Sequence, residues 1–215
     1  SPLPPGVDVI VESAKADCRD LLCIPDNYQI LFLGGAARTQ FAMVPLNLIT
    51  SDKNQAGYIC SGLWSELAFE EAQRFSDAYQ VTKKILKRNT AYVYYTPNET
   101  VDGVRLAVPD VGDIPLVADM TSCLLSEPID VSKFGLIFAG AQKNIGPAGL
   151  TLVIIRDDLL KITPKHTVPS MLDYQVHAKH HSVYATPPVF QCDMAAKMFK
   201  WLKAQGGVEA LYAIN

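Results

Sequence analysis

LIFAGAQKNIGPAGLTLVII, residues 136–155, sets two apolar runs, Leu136 to Ala139 and Leu150 to Ile155, around a loop of small residues that carries one lysine, Lys143. Runs that are apolar on both faces are what a mostly parallel sheet covered by helices requires, because neither face meets water. Moving outward, Ala91 to Tyr95 and Leu116 to Ala118 read as strands of the same kind, and so do Tyr28 to Leu33 and Gln55 to Cys60. Segments of helical period lie between and around them: Val9 to Leu22, Thr39 to Leu48, Trp64 to Ser76, Phe190 to Leu202 and the short Val208 to Leu211. Strands alternating with helices predict an α/β fold built from crossover units.

The chain has 215 residues, 49% of them hydrophobic and 19% charged, with a net charge of −3. A core of this size needs neither disulfides nor metal to hold it. There is no basic stripe to neutralise a run of phosphates, which argues against nucleic acid as a partner. No stretch reaches the roughly 18 to 20 consecutive apolar residues of a membrane span, and SPLPPGV at the start lacks a basic, then apolar leader. A cytoplasmic protein without membrane or nucleic-acid partners is expected. The cysteines Cys18, Cys23, Cys60, Cys123 and Cys192 are odd in number and form no Cys-x-x-Cys pair, so reduced core thiols are expected.

Lys143 admits two readings. Among small residues between strands, a lysine can be desolvated, which lowers its pKa and frees its amine to form a Schiff base; otherwise it is a surface loop lysine. Asp119 ends the apolar Ile114-Pro-Leu-Val-Ala-Asp119 run, where open α/β sheets place ligands. It either pairs with a cofactor's pyridinium nitrogen or caps a helix with Met120-Thr121-Ser122. Gly34 to Gln40 offers backbone N–H groups at a helix start, as phosphate sites do, or is a plain tight turn. Trp64 either stacks on an aromatic cofactor or fills the core. His177, His180 and His181 have spacings usable by a metal, but no carboxylate or cysteine accompanies them at ligand spacing, and no metal is expected. No Gly-x-Ser-x-Gly elbow supports a serine hydrolase.

Seven ordered blocks then carry a family resemblance: GGAARTQFAMVPLN (34–47), SGLWSELA (61–68), TPNETVDGVR (96–105), PLVADMTS (115–122), the long lysine block 130–160, PSMLDY (169–174) and YATPPVF (184–190). Together they closely resemble the phosphoserine aminotransferase family, a fold-type I pyridoxal-phosphate family. The resemblance implies a fold-type I large domain with a mainly parallel seven-stranded sheet covered by helices, acting in a homodimer with shared active sites. It implies residues 1–7 as an N-terminal segment, 8–205 as the cofactor-binding large domain and 206–215 as the start of a small domain.

By the same resemblance Lys143 is catalytic and holds pyridoxal 5'-phosphate, Asp119 binds its ring nitrogen, Trp64 stacks on the ring and Thr100 bonds its phenolic oxygen. The phosphate would fall to Ala37, Arg38 and Gln142, with Ala185 and Thr186 contributed by the partner subunit; Arg38 would also meet the substrate. The implied reaction exchanges an amino group between phosphoserine with 2-oxoglutarate and 3-phosphohydroxypyruvate with glutamate.

Ala185 departs from the family's usual asparagine. A His-Arg pair between Val7 and Asp8, a stretch around Val81 to Asn89 and the small domain beyond Asn215 have no counterpart in these residues. The expectation is that they belong to the molecule and that the 215 residues join its ordered parts. The rival readings are another fold-type I enzyme, such as an alanine-glyoxylate aminotransferase or a cysteine desulfurase, and a catalytically silent dimerisation module.

Overall fold

The computed structural model describes residues 6–82 and 86–215. The first five residues of the expected N-terminal segment and the middle of the Gln80 to Asn89 passage lie outside the described residues. In chain order the elements are α1 (Val7–Leu22), β1 (Tyr28–Gly34), α2 (Gln40–Leu48), β2 (Gln55–Ile59), α3 (Leu63–Ala72), β3 (Asp77–Gln80), β4 (Thr90–Tyr95), β5 (Asn98–Glu99) and β6 (Val104–Arg105). They continue with β7 (Leu116–Asp119), β8 (Leu136–Gly140), β9 (Leu150–Arg156), α4 (Tyr174–Lys179), α5 (Val189–Ala204) and α6 (Gly207–Ile214).

Seven strands form one sheet in the order β1-β9-β8-β7-β4-β2-β3, and β5 with β6 forms a separate small hairpin. Pairing is parallel from β8 through β3, whereas β9 runs antiparallel to both β8 and β1. The expected mainly parallel, seven-stranded α/β sheet is therefore the observed one. The antiparallel β9 has a specific effect: because antiparallel neighbours need only a hairpin between them, the connection 141–149 stays at the sheet edge where β8 ends. β1 consequently points the same way as β4, β7 and β8, so the turn after Gly34 reaches that edge too.

Within β4, Tyr92 and Tyr94 belong to one core cluster and Val93 and Tyr95 to the other, the two-residue alternation of a strand buried on both faces. On the first face α2, α3 and α4 bring Phe41, Val44, Ala68, Ala72 and Tyr174; on the second α1 and α5 bring Val11, Ala14, Cys18, Cys192, Ala195 and Phe199. Each fully buried Phe, Leu, Ile or Val adds about 1.5–3 kcal/mol relative to exposure. Tyr58 and Tyr92 share a hydroxyl hydrogen bond of 2.7 Å, while the Tyr94 hydroxyl on the same face has no partner among the described residues.

The helix α1 buries Val7, Val11, Ala14, Cys18 and Leu22, spaced by three and four residues. It ends at Cys23, whose left-handed backbone (φ 48°) returns its N–H to the carbonyls of Arg19 and Asp20. Cys23 is exposed there, so the core reading fails for this thiol; Cys18, Cys123 and Cys192 are buried, and all five thiols are free.

Four features differ from the sequence reading. The strand β3 is a half-exposed edge whose Asp-Ala-Tyr-Gln has no apolar run, and the β5–β6 hairpin is too short to show a period. The helix α4 is announced only by Asp173, whose carboxylate accepts from the N–H groups of Gln175 and Val176. The helix expected over Trp64 to Ser76 stops at Ala72 and closes through turns to Ser76. No helix among the described residues is long and apolar enough to cross a membrane.

Candidate active site

The carboxyl ends of β1, β4, β7 and β8 open on a cavity of about 270 Å3. The predicted residues Ala37, Arg38, Trp64, Thr100, Asp119, Gln142 and Lys143 all line it. This is where a parallel sheet presents ligands, since the loops leaving the strand ends diverge there.

Asp119 is the last residue of β7 and is 7% exposed. Its Oδ1 accepts from the Thr121 N–H (3.0 Å) and from the Thr121 hydroxyl (2.6 Å). Among the described residues no donor reaches Oδ2. Burial pushes the Asp119 carboxyl up to about 6; the two Thr121 hydrogen bonds oppose that rise, and the nearby charge of Glu99 adds to it. Residues 121–126 form turns rather than a helix, so Asp119 does not cap one: Oδ1 secures the turn, and the residue lines the cavity.

Lys143 sits in the connection between β8 and β9. Ile145 is buried and anchors this loop, the Asn144 side chain donates to the Leu124 carbonyl (2.9 Å), and the Ala141 N–H donates to the Leu150 carbonyl (2.9 Å). The loop is thus fixed while Lys143 itself is exposed at the cavity. Of the two readings of Lys143, the exposed loop lysine is the one that fits this burial, although the residue also lines the cavity. Gly140, at the end of β8, allows close approach, since a Cβ there would lie 3.1 Å from Ala37 Cβ and would collide with the Gln142 side chain.

A single 3-10 turn, Ala37–Thr39, leads into α2. The first N–H groups of such a turn have no acceptor of their own, and Ala37 and Arg38 carry them at the cavity wall. The Gly35 N–H donates to the Gly149 carbonyl (3.0 Å), and the Thr151 hydroxyl donates to the Gly35 carbonyl (3.0 Å), so this turn is tied to the lysine loop.

Trp64 is held from beneath by the β5–β6 hairpin. The Glu99 carboxylate, fully buried, accepts from the N–H groups of Trp64 (3.0 Å) and Ser65 (2.8 Å), and Asp102 accepts from Leu63 N–H (2.7 Å). These acids sit at the N-terminus of α3, where its dipole and unpaired N–H groups favour negative charge. The Trp64 indole N–H reaches the Thr100 hydroxyl at 3.3 Å. Residue 62 has to be glycine, because a Cβ there would stand 2.9 Å from Glu99 Cγ and closer still to the Asp102 carboxylate.

Ala185 and Thr186 are exposed and do not line this cavity. Two of the three histidines, His177 and His180, pack on the same Tyr184 ring. His177 is buried with Nε2 2.8 Å from the Met171 carbonyl, and the His181 carbonyl accepts from Lys15.

Sequence reasoning missed Thr121, Glu99, Asp102 and Thr96, whose buried hydroxyl lies at the cavity wall without a partner among the described residues. Asp-x-Thr at a strand end is the one local signal that pointed to the first of these.

A planar group with an anionic tail fits this cavity. There is an indole wall, a carboxylate oxygen and a buried hydroxyl without partners, an amine on a fixed loop, and helix-start N–H groups beside Arg38.

Comparison with known proteins agrees with that chemistry. The chain is 54% identical over 226 aligned positions to a phosphoserine aminotransferase of Legionella pneumophila (strain Corby), covering 98% of this chain and 62% of the relative. The aligned positions outnumber the 215 residues here, so the relative carries positions without a counterpart in this chain. Among solved structures, phosphoserine aminotransferase from Bacillus circulans subsp. alkalophilus superposes with a TM-score of 0.91 at 38% identity. The PLP-bound phosphoserine aminotransferase of Trichomonas vaginalis gives 0.90 at 37%. The first covers 98% of this chain and the second 96%, and in each case the match spans 62% of the other chain. The aminotransferase class-V model matches residues 7–215, and with the sheet order and the lysine loop already described, this places the chain in the aminotransferase class-V family.

Proposed function

We propose that the chain is the cofactor-binding part of a cytoplasmic phosphoserine aminotransferase that uses pyridoxal 5'-phosphate and works as a homodimer. The observation that carries this reading is the convergence of Asp119, from the end of β7, and Lys143, from the β8–β9 connection, on one cavity. The high identity to phosphoserine aminotransferases supports the choice of phosphoserine with 2-oxoglutarate, and 3-phosphohydroxypyruvate with glutamate, as the exchanging pairs.

When bound, the cofactor supplies an electron sink for the negative charge that develops at the substrate's α-carbon. Asp119 holds the proton on the ring nitrogen through its ionised carboxylate, the form that the ring's positive charge favours against the burial that pushes this carboxyl up in the cofactor-free chain. Trp64 forms the apolar wall against the ring and excludes water from that face. Thr100 orients Trp64 and, in this reading, bonds the phenolic oxygen. The N–H groups of Ala37 and Arg38 and the Gln142 side chain hold the phosphate, with Thr186 reaching it from the second copy of the chain. Arg38, at the cavity wall, meets the anionic substrate with a planar, two-pronged donor. Lys143 Nζ takes the proton from the substrate's α-carbon and delivers it to C4′ of the cofactor as general base and acid.

Borohydride reduction of the cofactor-loaded protein followed by peptide mapping tests the assignment. Label is expected on Lys143, with transamination of phosphoserine lost in Lys143→Ala. Label on any other lysine would overturn it.

A further inference from the structure

Nothing in the chemistry above explains why the residue two after Asp119 carries a hydroxyl. Thr121 donates that hydroxyl to Asp119 Oδ1 (2.6 Å), accepts the Gly140 N–H on the same oxygen (3.1 Å), and gives its own N–H to Asp119 Oδ1 (3.0 Å). The Gly140 donor belongs to β8, the neighbour of β7, and the Met120 N–H to Phe138 carbonyl bond (2.9 Å) joins the same two strand ends. The Asp119 carboxylate is thus locked between two adjacent strands through one oxygen only, and both donors that act on it belong to one residue.

We infer that Thr121 is a positioning residue of the site: by engaging Oδ1 alone it fixes the plane of the Asp119 carboxylate and reserves Oδ2 for the ligand's ring nitrogen. This rests on the pyridoxal-phosphate reading, and it adds a residue that the reading does not include.

The electrostatic consequence follows from the groups facing Asp119. Glu99 from β5 opposes ionisation through its charge, as does burial. Burial pushes up the Tyr94 hydroxyl of β4 and, with Glu127, the Cys123 thiol of the same turn, and the Asp119 charge adds to both. The cations Arg38 and Lys143 line the cavity with it. Thr121 supplies the hydrogen bonds that favour the charged form, and a hydroxyl donated to an ionised carboxylate stabilises that form specifically.

The test uses the full chain labelled with carbon-13 at the aspartate carboxyl carbons, the Asp119 signal being assigned by its loss in Asp119→Asn. In Thr121→Val, which keeps the shape and removes the hydroxyl, the titration midpoint of Asp119 is expected to rise by about one pH unit or more. Thr121→Ser should restore the parent midpoint, a rescue that a merely structural methyl contact would not give. A Val variant that titrates with the parent, or a Ser variant that titrates with Val, would overturn the role of Thr121. A parent signal that does not move when pyridoxal phosphate is added would instead overturn the cofactor reading, and with it the reservation of Oδ2. The two failures are therefore read from different arms.

Discussion

Asp119→Asn should make the cofactor-free protein more stable at neutral pH while it removes activity. In the folded chain burial pushes the Asp119 carboxyl up to about 6, against an ordinary value of 3.8. Between those two values the folded state binds more protons than the unfolded one, so this residue makes stability fall as pH rises. The loss is complete above about pH 6 and absent below about pH 3.8. Two units at 1.36 kcal/mol each set the cost of the ionised carboxylate at about 3 kcal/mol at pH 7. Asparagine can keep the acceptor for Thr121 and carries no charge, so the variant should recover most of that. Urea unfolding of both proteins from pH 4 to pH 8 measures it, as a stability difference that is near zero at the acid end and grows to about 3 kcal/mol by pH 7. A difference independent of pH, or a less stable Asn variant at pH 7, would refute the claim that desolvation of Asp119 is the controlling effect. Activity should move the opposite way, with kcat and kcat/KM falling together because an amide cannot hold the ring nitrogen protonated.

Glu99→Ala should cost about 3–6 kcal/mol, since the N–H groups of Trp64 and Ser65 lose a charged acceptor at about 1.5–3 kcal/mol each. In a Trp201→Phe background the remaining Trp64 should show red-shifted fluorescence, and unchanged stability and emission would mean that the hairpin does not hold α3. Gly62→Ala should cost about 1–3 kcal/mol from overpacking against Asp102 and Glu99. Adding Asp102→Ala should cost less than the sum of the two single changes, because they share one collision, and strict additivity in urea midpoints would exclude that cause.

What the sequence disclosed follows the strength of local signals. The strands β1, β4, β7, β8 and β9 are apolar on both faces and announce themselves, and the cavity residues on their ends came with the motifs that follow them. The strand β3 pairs only through β2 and lies at the sheet edge, so its side chains carry no burial pattern to read. Glu99 illustrates a different limit: a fully buried carboxylate is intelligible only when its partners, the N–H groups of Trp64 and Ser65, are known from another part of the chain. Lys143 shows the reverse, since its place in the site was legible but the choice between its buried and its exposed reading was not. Exposure depends on what lies across the loop, and spacing does not reveal that.

The pairing of β1 with β9 sets an order of events during synthesis. Residues 28–34 hydrogen-bond only to residues 150–156 within the sheet, and the turn that follows β1 is tied to Gly149 and Thr151. At about 5–20 residues per second, a ribosome completes β9 about 6 to 25 s after β1. During that interval the turn at Ala37–Thr39 has no scaffold, while β2, β4, β7 and β8 can already join. Ligand capture therefore becomes possible only late in translation, and a nascent chain halted short of residue 150 would expose an unpaired first strand to neighbouring chains.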